Sequence, residues 1–261
     1  MKNMAYLGPS YTFSDMCFNT FFKNQFNPIH KKTIEDIFDA LSDDTDILIP
    51  IENSTDGFVQ KTIDGLIHHE GYIISTMSVP VQFGCLGNPK TAKTLYVQFK
   101  SLGQCQKFIQ AHPHLNTVLT ASNQASYDLK QSDDDVAIVP LHMIYDLDHV
   151  KHVEDYEHNQ TRFIHVSKTY QASTALASMI ITPKIDRPGL LSDILDVFKK
   201  HDINLTSIMS RPTKTVIGTY HFYIEMSMNP THQFNIHDVI NHMRQTFDIR
   251  FLGTYKKVTT S

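Results

Sequence analysis

Between Ile47 and Ile67 an apolar run breaks off into a knot of hydrogen-bonding side chains, then restarts at a different period. Ile47-Leu48-Ile49-Pro50-Ile51 reads as a buried strand. Glu52-Asn53-Ser54-Thr55-Asp56-Gly57 follows, and Val59, Ile63, Leu66 and Ile67 then fall on one face of a helix. A chain that changes period this sharply is confined to an alternating α/β design, with the polar residues at a strand-to-helix junction. Free backbone N–H groups and the helix dipole favour an anionic ligand at such a point. The same residue types also make an N-cap and a turn, so the residues alone leave both readings open.

The alternation extends in both directions. Met4–Leu7 reads as a strand, and the pattern after Thr12 is a helix burying Phe13, Met16 and Cys17. Ile34, Ile37, Phe38 and Leu41 mark another helix, with Thr33 as its N-cap and Asp36 completing a variant of the capping box. After strand 47–51 and helix 59–67, a strand is expected over 73–83 and again at 94–97. A helix over 103–109, a strand at 117–119, a helix near 125–129 and a strand at 136–139 complete this part. Such a series predicts a parallel or mixed sheet with helices on its faces. Two βα blocks, before and after Val79-Pro80, predict two lobes with a ligand cleft between them. The polar, aperiodic stretch from Asp146 to Gln160 reads as a loop returning to a strand at 161–166, and 167–173 reads as a domain boundary.

The remainder has a cleaner pattern. A strand at 176–181 leads to Pro188-Gly189-Leu190-Leu191, which opens a helix with Leu191, Ile194, Leu195 and Phe198 on one face. Strands at 203–209 and 219–226 follow, then a helix face of Ile236, Val239, Ile240, Met243 and Phe247, and a closing strand at 249–252. The order βαββαβ is that of a ferredoxin-like module. Its open sheet edge favours pairing with a second copy.

Composition narrows the function. With 41% hydrophobic and 19% charged residues the chain is an ordinary globular one, and a net charge of −4 offers no polybasic surface for nucleic acid or anionic lipid. No apolar stretch approaches the ~20 residues of a membrane span, and no secretory leader is legible, so a cytoplasmic location is expected. Cys17, Cys85 and Cys105 show neither metal spacing nor a disulfide framework, as suits a reducing compartment. Cys105 falls on an apolar helix face and reads as a buried small hydrophobe rather than a nucleophile. The densest histidine groups are His68-His69, His112 with His114, and His149, His152 and His158. They lack a His-Glu-x-x-His pattern and read as solvated surface, so no metal is expected.

Several segments together resemble the prephenate dehydratase family over nearly the whole chain. They are Tyr6-Leu7-Gly8-Pro9 with Thr12-Phe13-Ser14, Pro50-Ile51-Glu52-Asn53-Ser54 through Asp64, Gln104-Cys105, and Thr161-Arg162-Phe163. Asn204-Leu205-Thr206-Ser207-Ile208 with Ser210-Arg211-Pro212 is similar to the ACT domain usually fused to that enzyme. Four departures stand out. Tyr11 occupies a family glycine. Val97-Gln98-Phe99-Lys100 replaces a Ser-His-Pro-Gln run and removes a hydroxyl. Gly189-Leu190-Leu191-Ser192 replaces Gly-Ala-Leu-Val, and Met209 replaces the glutamate of Glu-Ser-Arg-Pro.

The resemblance implies a two-lobed α/β catalytic domain over 1–170, of type II periplasmic-binding-protein form. One lobe would take in about 1–78 and 160–170, the other about 79–159. A ferredoxin-like ACT domain would cover 174–261. The implied activity is decarboxylating dehydration of prephenate to phenylpyruvate, fed back by L-phenylalanine. Aromatisation drives that reaction, so no cofactor is expected. Arg162 would grip a carboxylate with its planar fork, in convergence with the amides near Asn53. Thr161 would donate toward the leaving oxygen. Glu52 would act as acid if buried, or cap nearby structure. Ser54, Thr55 and Gln104 would bind substrate, with Thr12, Ser14 and Phe163 lining the same cleft. Gly189, Leu190 and Asn204 match the effector positions, at an interface in a homodimer or homotetramer. Arogenate as substrate, or an inactive amino-acid sensor, would fit the same chain.

Overall fold

A computed structural model describes residues 1–144, 149–185, 187–215, 218–228 and 236–259. The first strand-helix alternation comprises β1 (Lys2–Leu7), α1 (Phe13–Phe21), β2 (Phe26–Lys31), α2 (Ile34–Asp39), β3 (Thr45–Asn53), β4 (Gly57–Phe58), α3 (Gln60–His68) and β5 (Tyr72–Pro80). The chain then leaves for a separate five-stranded sheet, ordered β10-β6-β9-β7-β8. That sheet contains β6 (Phe83–Leu86), β7 (Thr94–Gln98), β8 (Asn116–Thr120), β9 (Asp135–Pro140) and β10 (His149–Lys151), with α4 (Phe99–Gln104), α5 (Gln106–Gln110) and α6 (Asn123–Leu129) between them. Strand β11 (Gln160–Ser167) returns to the first sheet and lies antiparallel between β3 and β5.

The last part is β12 (Leu176–Pro183), α7 (Leu190–Lys200), β13 (Leu205–Pro212), β14 (Tyr220–Ser227), α8 (Ile236–Arg244) and β15 (Phe247–Lys257), in the expected βαββαβ order. Its strands do not form a sheet of their own. Lys256 and Lys257 of β15 pair in parallel with Ser75 and Thr76 of β5, which fuses this module to the first sheet in one ten-stranded sheet. The Val258 N–H continues the ladder to the Thr76 carbonyl. Among the described residues no helix is long and apolar enough to cross a membrane.

Local chemistry explains most element boundaries. Thr33 and Asp36 form the reciprocal capping box, each side chain accepting from the other's backbone N–H. Gln98 caps α4, taking the N–H groups of Lys100 and Ser101 on its side-chain oxygen. Helices α2 and α3 pack closely at Gly65, where a Cβ would lie 1.9 Å from a ring carbon of Phe38. Gly65→Ala is therefore expected to destabilise by about 1–3 kcal/mol through overpacking, despite alanine's better helix propensity. Denaturant unfolding measures this, and an unchanged midpoint would mean that the Phe38 ring swings aside freely.

Several expectations are corrected. The strand expected over 73–83 divides at Val81-Gln82, where the chain crosses between sheets. The helix expected over 103–109 is two short helices meeting at Cys105, whose φ of −127° and ψ of 31° are not helical. Gln104 thus ends a helix instead of starting one. In α7 the core face is Leu190, Ile194 and Phe198, whereas Leu191 and Leu195 are exposed. Phe247 begins β15 rather than ending α8. The 146–160 loop contains β10, and its residues 146–148 lie outside the described ones.

One buried polar pair supports the first sheet at the start of β3. His165 Nε2 lies 2.8 Å from Asp46 Oδ2, between the rings of Phe22 and Phe26, and Lys2 Nζ reaches Asp46 Oδ1 at 2.7 Å. Burial would raise the Asp46 pKa, but hydrogen bonds from His165, Lys2 and Ser167 outweigh it and the net shift is downward. A carboxyl depressed on folding contributes stability above its unfolded pKa, about 3.9, and that stability is lost as pH falls through the folded value. Melting temperature against pH should therefore fall in acid, with a shallower slope for Asp46→Asn. Parallel curves for the two proteins would remove Asp46 from this role.

Candidate active site

Strands β3 and β11 define the site through one irregularity in their pairing. Arg162 faces Glu52 and Phe163 faces Pro50, so Ile51 is an extra residue on β3. Such a bulge interrupts the two-residue alternation and re-aims the side chains beyond it. Ile51 stays fully buried in the core, Glu52 turns toward Arg162, and Asn53 turns toward Thr161 on the other face.

Asn53 organises a dense cluster there. Its side-chain oxygen accepts from the Thr55 N–H at 3.0 Å, the Thr55 hydroxyl at 2.6 Å and the Asp56 N–H at 3.1 Å, which locks the turn into β4. Its Nδ2 shares two hydrogens among three acceptors, Asn159 Oδ1 at 2.9 Å, Thr161 Oγ1 at 3.1 Å and the Gln160 carbonyl at 3.2 Å. Ser54 donates to the same Asn159 oxygen at 3.0 Å and accepts from the Gln160 N–H. Asn159 Nδ2 in turn donates to Gln104 Oε1 at 3.2 Å. Asn159, which is 3% exposed, thus ties the end of β3 in the first sheet to the end of α4, the helix that follows β7 of the second.

Asn159 was not among the expected site residues. It sits in a polar stretch that is held in place rather than loose. Asp155 accepts the first N–H groups of α5, from Gln106 and Lys107, and Glu154 accepts the Phe83 N–H at 2.8 Å. The Asn159 carbonyl accepts the Val81 N–H, so the outgoing and returning crossings between sheets are bonded to each other at the site.

The Asn53–Thr161 contact has a directional consequence. An amide Nδ2 can only donate, so Thr161 Oγ1 must accept, and its own hydrogen is left to point at another group. The cluster consists of neutral amides and hydroxyls, with Thr161 as a hydroxyl donor inside it.

Arg162 and Glu52 are on the opposite face, which corrects the expectation that Arg162 converges with Asn53. Arg162 Nη1 meets Glu225 Oε2 of β14 at 2.6 Å, and its Nε and Nη2 lie 3.1 and 2.9 Å from Glu52 Oε2. Burial alone would lower the Arg162 pKa, but Glu225 and the neighbouring Tyr223 outweigh it and raise it, so the guanidinium is firmly charged. Glu52 is an ion-pair partner here rather than an acid aimed at a ligand.

The other expected residues divide. Phe163 is buried in the core with Tyr6, Phe18, Leu48 and Val79. Thr12 caps α1 through the Asp15 N–H and donates to the Leu7 carbonyl; Ser14 is buried in the first turn. No hydrogen bond among the described residues joins either to the Asn53 cluster. Tyr11 has φ of +66°, a left-handed conformation that glycine adopts freely. Its carbonyl contacts His142, in the short helical turn after β9, at 3.1 Å. Ser101, one residue beyond the replaced Ser-His-Pro-Gln run, is buried and donates to Asn123 at 2.7 Å. In the C-terminal module Gly189 has φ of +82° at the start of α7. Asn204 lines a surface cavity of about 350 Å³ at the other end, beside Leu195, Phe198 and Ile203. Eleven helical residues separate the two, so Gly189 and Asn204 do not share a site within one chain.

Comparison with known proteins bears on this geometry. The family model for prephenate dehydratase matches residues 4–171, and that for the ACT domain matches residues 184–229. A prephenate dehydratase of Bacillus subtilis (strain 168) is 29% identical over 249 residues, 85% of this chain and 87% of the relative. The crystal structure of the prephenate dehydratase from Staphylococcus aureus subsp. aureus Mu50 superposes with a TM-score of 0.86 at 27% identity, covering 97% of this chain and 99% of that one. That of the Arthrobacter aurescens prephenate dehydratase, in complex with L-Phe, superposes with a TM-score of 0.82 at 23% identity, covering 99% and 93%.

Proposed function

Since this chain belongs to the prephenate dehydratase family, we propose that it converts prephenate to phenylpyruvate, with release of water and carbon dioxide, at the Asn53–Thr161 cluster. The carrying observation is the Thr161 hydroxyl, which accepts from Asn53 Nδ2 and so keeps its hydrogen for the departing ring hydroxyl. Threonine has no useful pKa near neutrality. Its part is to hydrogen-bond the leaving oxygen and orient the proton it takes up as water, rather than to own that proton. Asn53, Ser54 and Thr55 spend their side-chain hydrogens inside the cluster and hold it in place, whereas Gln104 accepts through Oε1 and offers its Nε2 to the reacting molecule as a second neutral donor. A carboxylate held by neutral groups is less strongly stabilised than one held by a guanidinium, which favours its loss as carbon dioxide. The electrons of the breaking C–C bond enter the ring and expel the hydroxyl, and aromatisation drives both cleavages. Asn159 positions Asn53 and Gln104 across the two sheets and belongs to the site for that reason.

The C-terminal module, over about 174–261, is proposed to sense L-phenylalanine. Support comes from its family match and from the relative solved with L-Phe. Gly189, Leu190 and Asn204 would contribute from two copies paired along the exposed β13 edge, since one chain holds them at opposite ends of α7. The decisive experiment incubates purified protein with prephenate and follows phenylpyruvate absorbance in alkali, with and without phenylalanine. Turnover lowered by phenylalanine is the expected result. Folded protein with no turnover would overturn the reading in favour of a sensor, and faster turnover of arogenate in a parallel assay would change the substrate.

A further inference from the structure

Arg162, freed from the substrate by its position, joins the C-terminal module to the catalytic bulge. Glu225 of β14 is 3% exposed. Its Oε2 accepts from Arg162 at 2.6 Å and from the Tyr255 hydroxyl at 2.7 Å, and its Oε1 accepts from Thr206 at 3.0 Å. Thr206 is itself a bulged residue: Leu205 pairs with Met226 and Ser207 with Glu225, which leaves Thr206 unpaired and able to turn its hydroxyl to Glu225. At the other end, the Arg162–Glu52 contact is adjacent in both strands to Asn53 and Thr161.

The two ends are unequal. The Glu225 side chain is 4% exposed and that of Glu52 34%. Two Arg162 nitrogens converge on one Glu52 oxygen, and among the described residues the buried Nη2 has no hydrogen bond of its own. Arg162 is therefore anchored to the C-terminal module more firmly than to its own neighbour on β3. A shift of Glu225 carries Arg162 with it and disturbs the under-bonded contact that sets the bulge.

We propose that Thr206, Glu225, Arg162 and Glu52 form a positioning relay, through which the sensor strand β13 sets the orientation of Asn53 and Thr161. The relay deepens the functional reading above and rests on it for its kinetic readouts. None of its members touches substrate; they act through the β3 bulge. Displacement of β13 by an effector would pull on Thr206, rotate Glu225 and loosen the geometry at Thr161. Coupling of this kind changes affinity or rate by a finite factor, commonly about 5–150-fold.

Two variants and two readouts test it. Glu225→Gln keeps shape and removes the charge. It should lower kcat about ten- to a hundredfold with KM within about twofold, and speed amide hydrogen exchange over residues 51–58 without any ligand. Thr206→Val, at an exposed position outside the catalytic cluster, should lower kcat by less than Glu225→Gln does, with KM within about twofold, while the phenylalanine concentration for half-inhibition rises about tenfold or more. It remains informative if Glu225→Gln fails to fold. A parent protein without turnover defeats the activity reading, and exchange at 51–58 then still reports on the relay. If parent turnover is inhibited by phenylalanine and both variants match it in kinetics and exchange, the relay is wrong and the activity stands.

Discussion

Thr161→Ala should lose about 10²–10⁴-fold in kcat while KM moves little, because the missing hydroxyl acts on the leaving oxygen as its bond breaks and not on the bound ground state. Thr161→Ser should recover most of the rate, since it restores a hydroxyl that can accept from Asn53 Nδ2 at the same point. Thr161→Val separates the two functions of the side chain. It fills the space but leaves Asn53 Nδ2 with one acceptor fewer, so its melting temperature should fall slightly as its rate collapses. Steady-state kinetics with thermal melts distinguish these outcomes. An alanine variant with full kcat would transfer the role to another donor in the cluster, such as the Gln104 amide.

How far this site was legible depends on how local its determinants are. The capping box at Thr33 and Asp36 and the helix faces of α2 and α3 follow from neighbours within a turn of each other, and they occur where the residue pattern puts them. Asn53, Ser54, Thr55 and Thr161 carry short motifs that survive inspection in one dimension. The facing of Glu52 and Asn53 does not. Alternation along β3 would put Ile51 and Glu52 on opposite sides, and only the unpaired Ile51 brings Glu52 round to Arg162. A bulge depends on the partner strand, and nothing within Pro50–Asn53 announces it.

Asn159 was illegible for a related reason. Its stretch is polar and aperiodic, which usually describes a solvated loop, yet each of Val153, Glu154, Asp155 and Asn159 bonds to a residue at least 45 positions away. The fused ten-stranded sheet was missed likewise. The apolar pattern of β15 fades after Leu252, while the strand continues through Tyr255 to Lys257 because β5 offers it an edge. Pattern reading recovers elements that bury one face, and it passes over backbone held by remote polar partners.

Arg162→Met carries the largest expected effect on stability, and it separates a buried ion pair from a substrate clamp. Glu225 would remain among Tyr223, Tyr255 and Thr206, hydrogen-bonded but with its counter-charge gone. Removing one partner of a buried pair costs about 3–5 kcal/mol, which for a chain of this size lowers the melting temperature by on the order of ten degrees. Glu225→Gln should cost less, because Arg162 retains the half-exposed Glu52. The double replacement Arg162→Met with Glu225→Leu should regain much of the loss, as apolar groups of similar size can replace a buried pair. A guanidinium that gripped the substrate would give the opposite pattern: a raised KM, a melting temperature near the parent's, and no recovery from changing Glu225. The order Arg162→Met below Glu225→Gln, with the double variant above Arg162→Met, is the signature of an arginine held between the catalytic sheet and the C-terminal module.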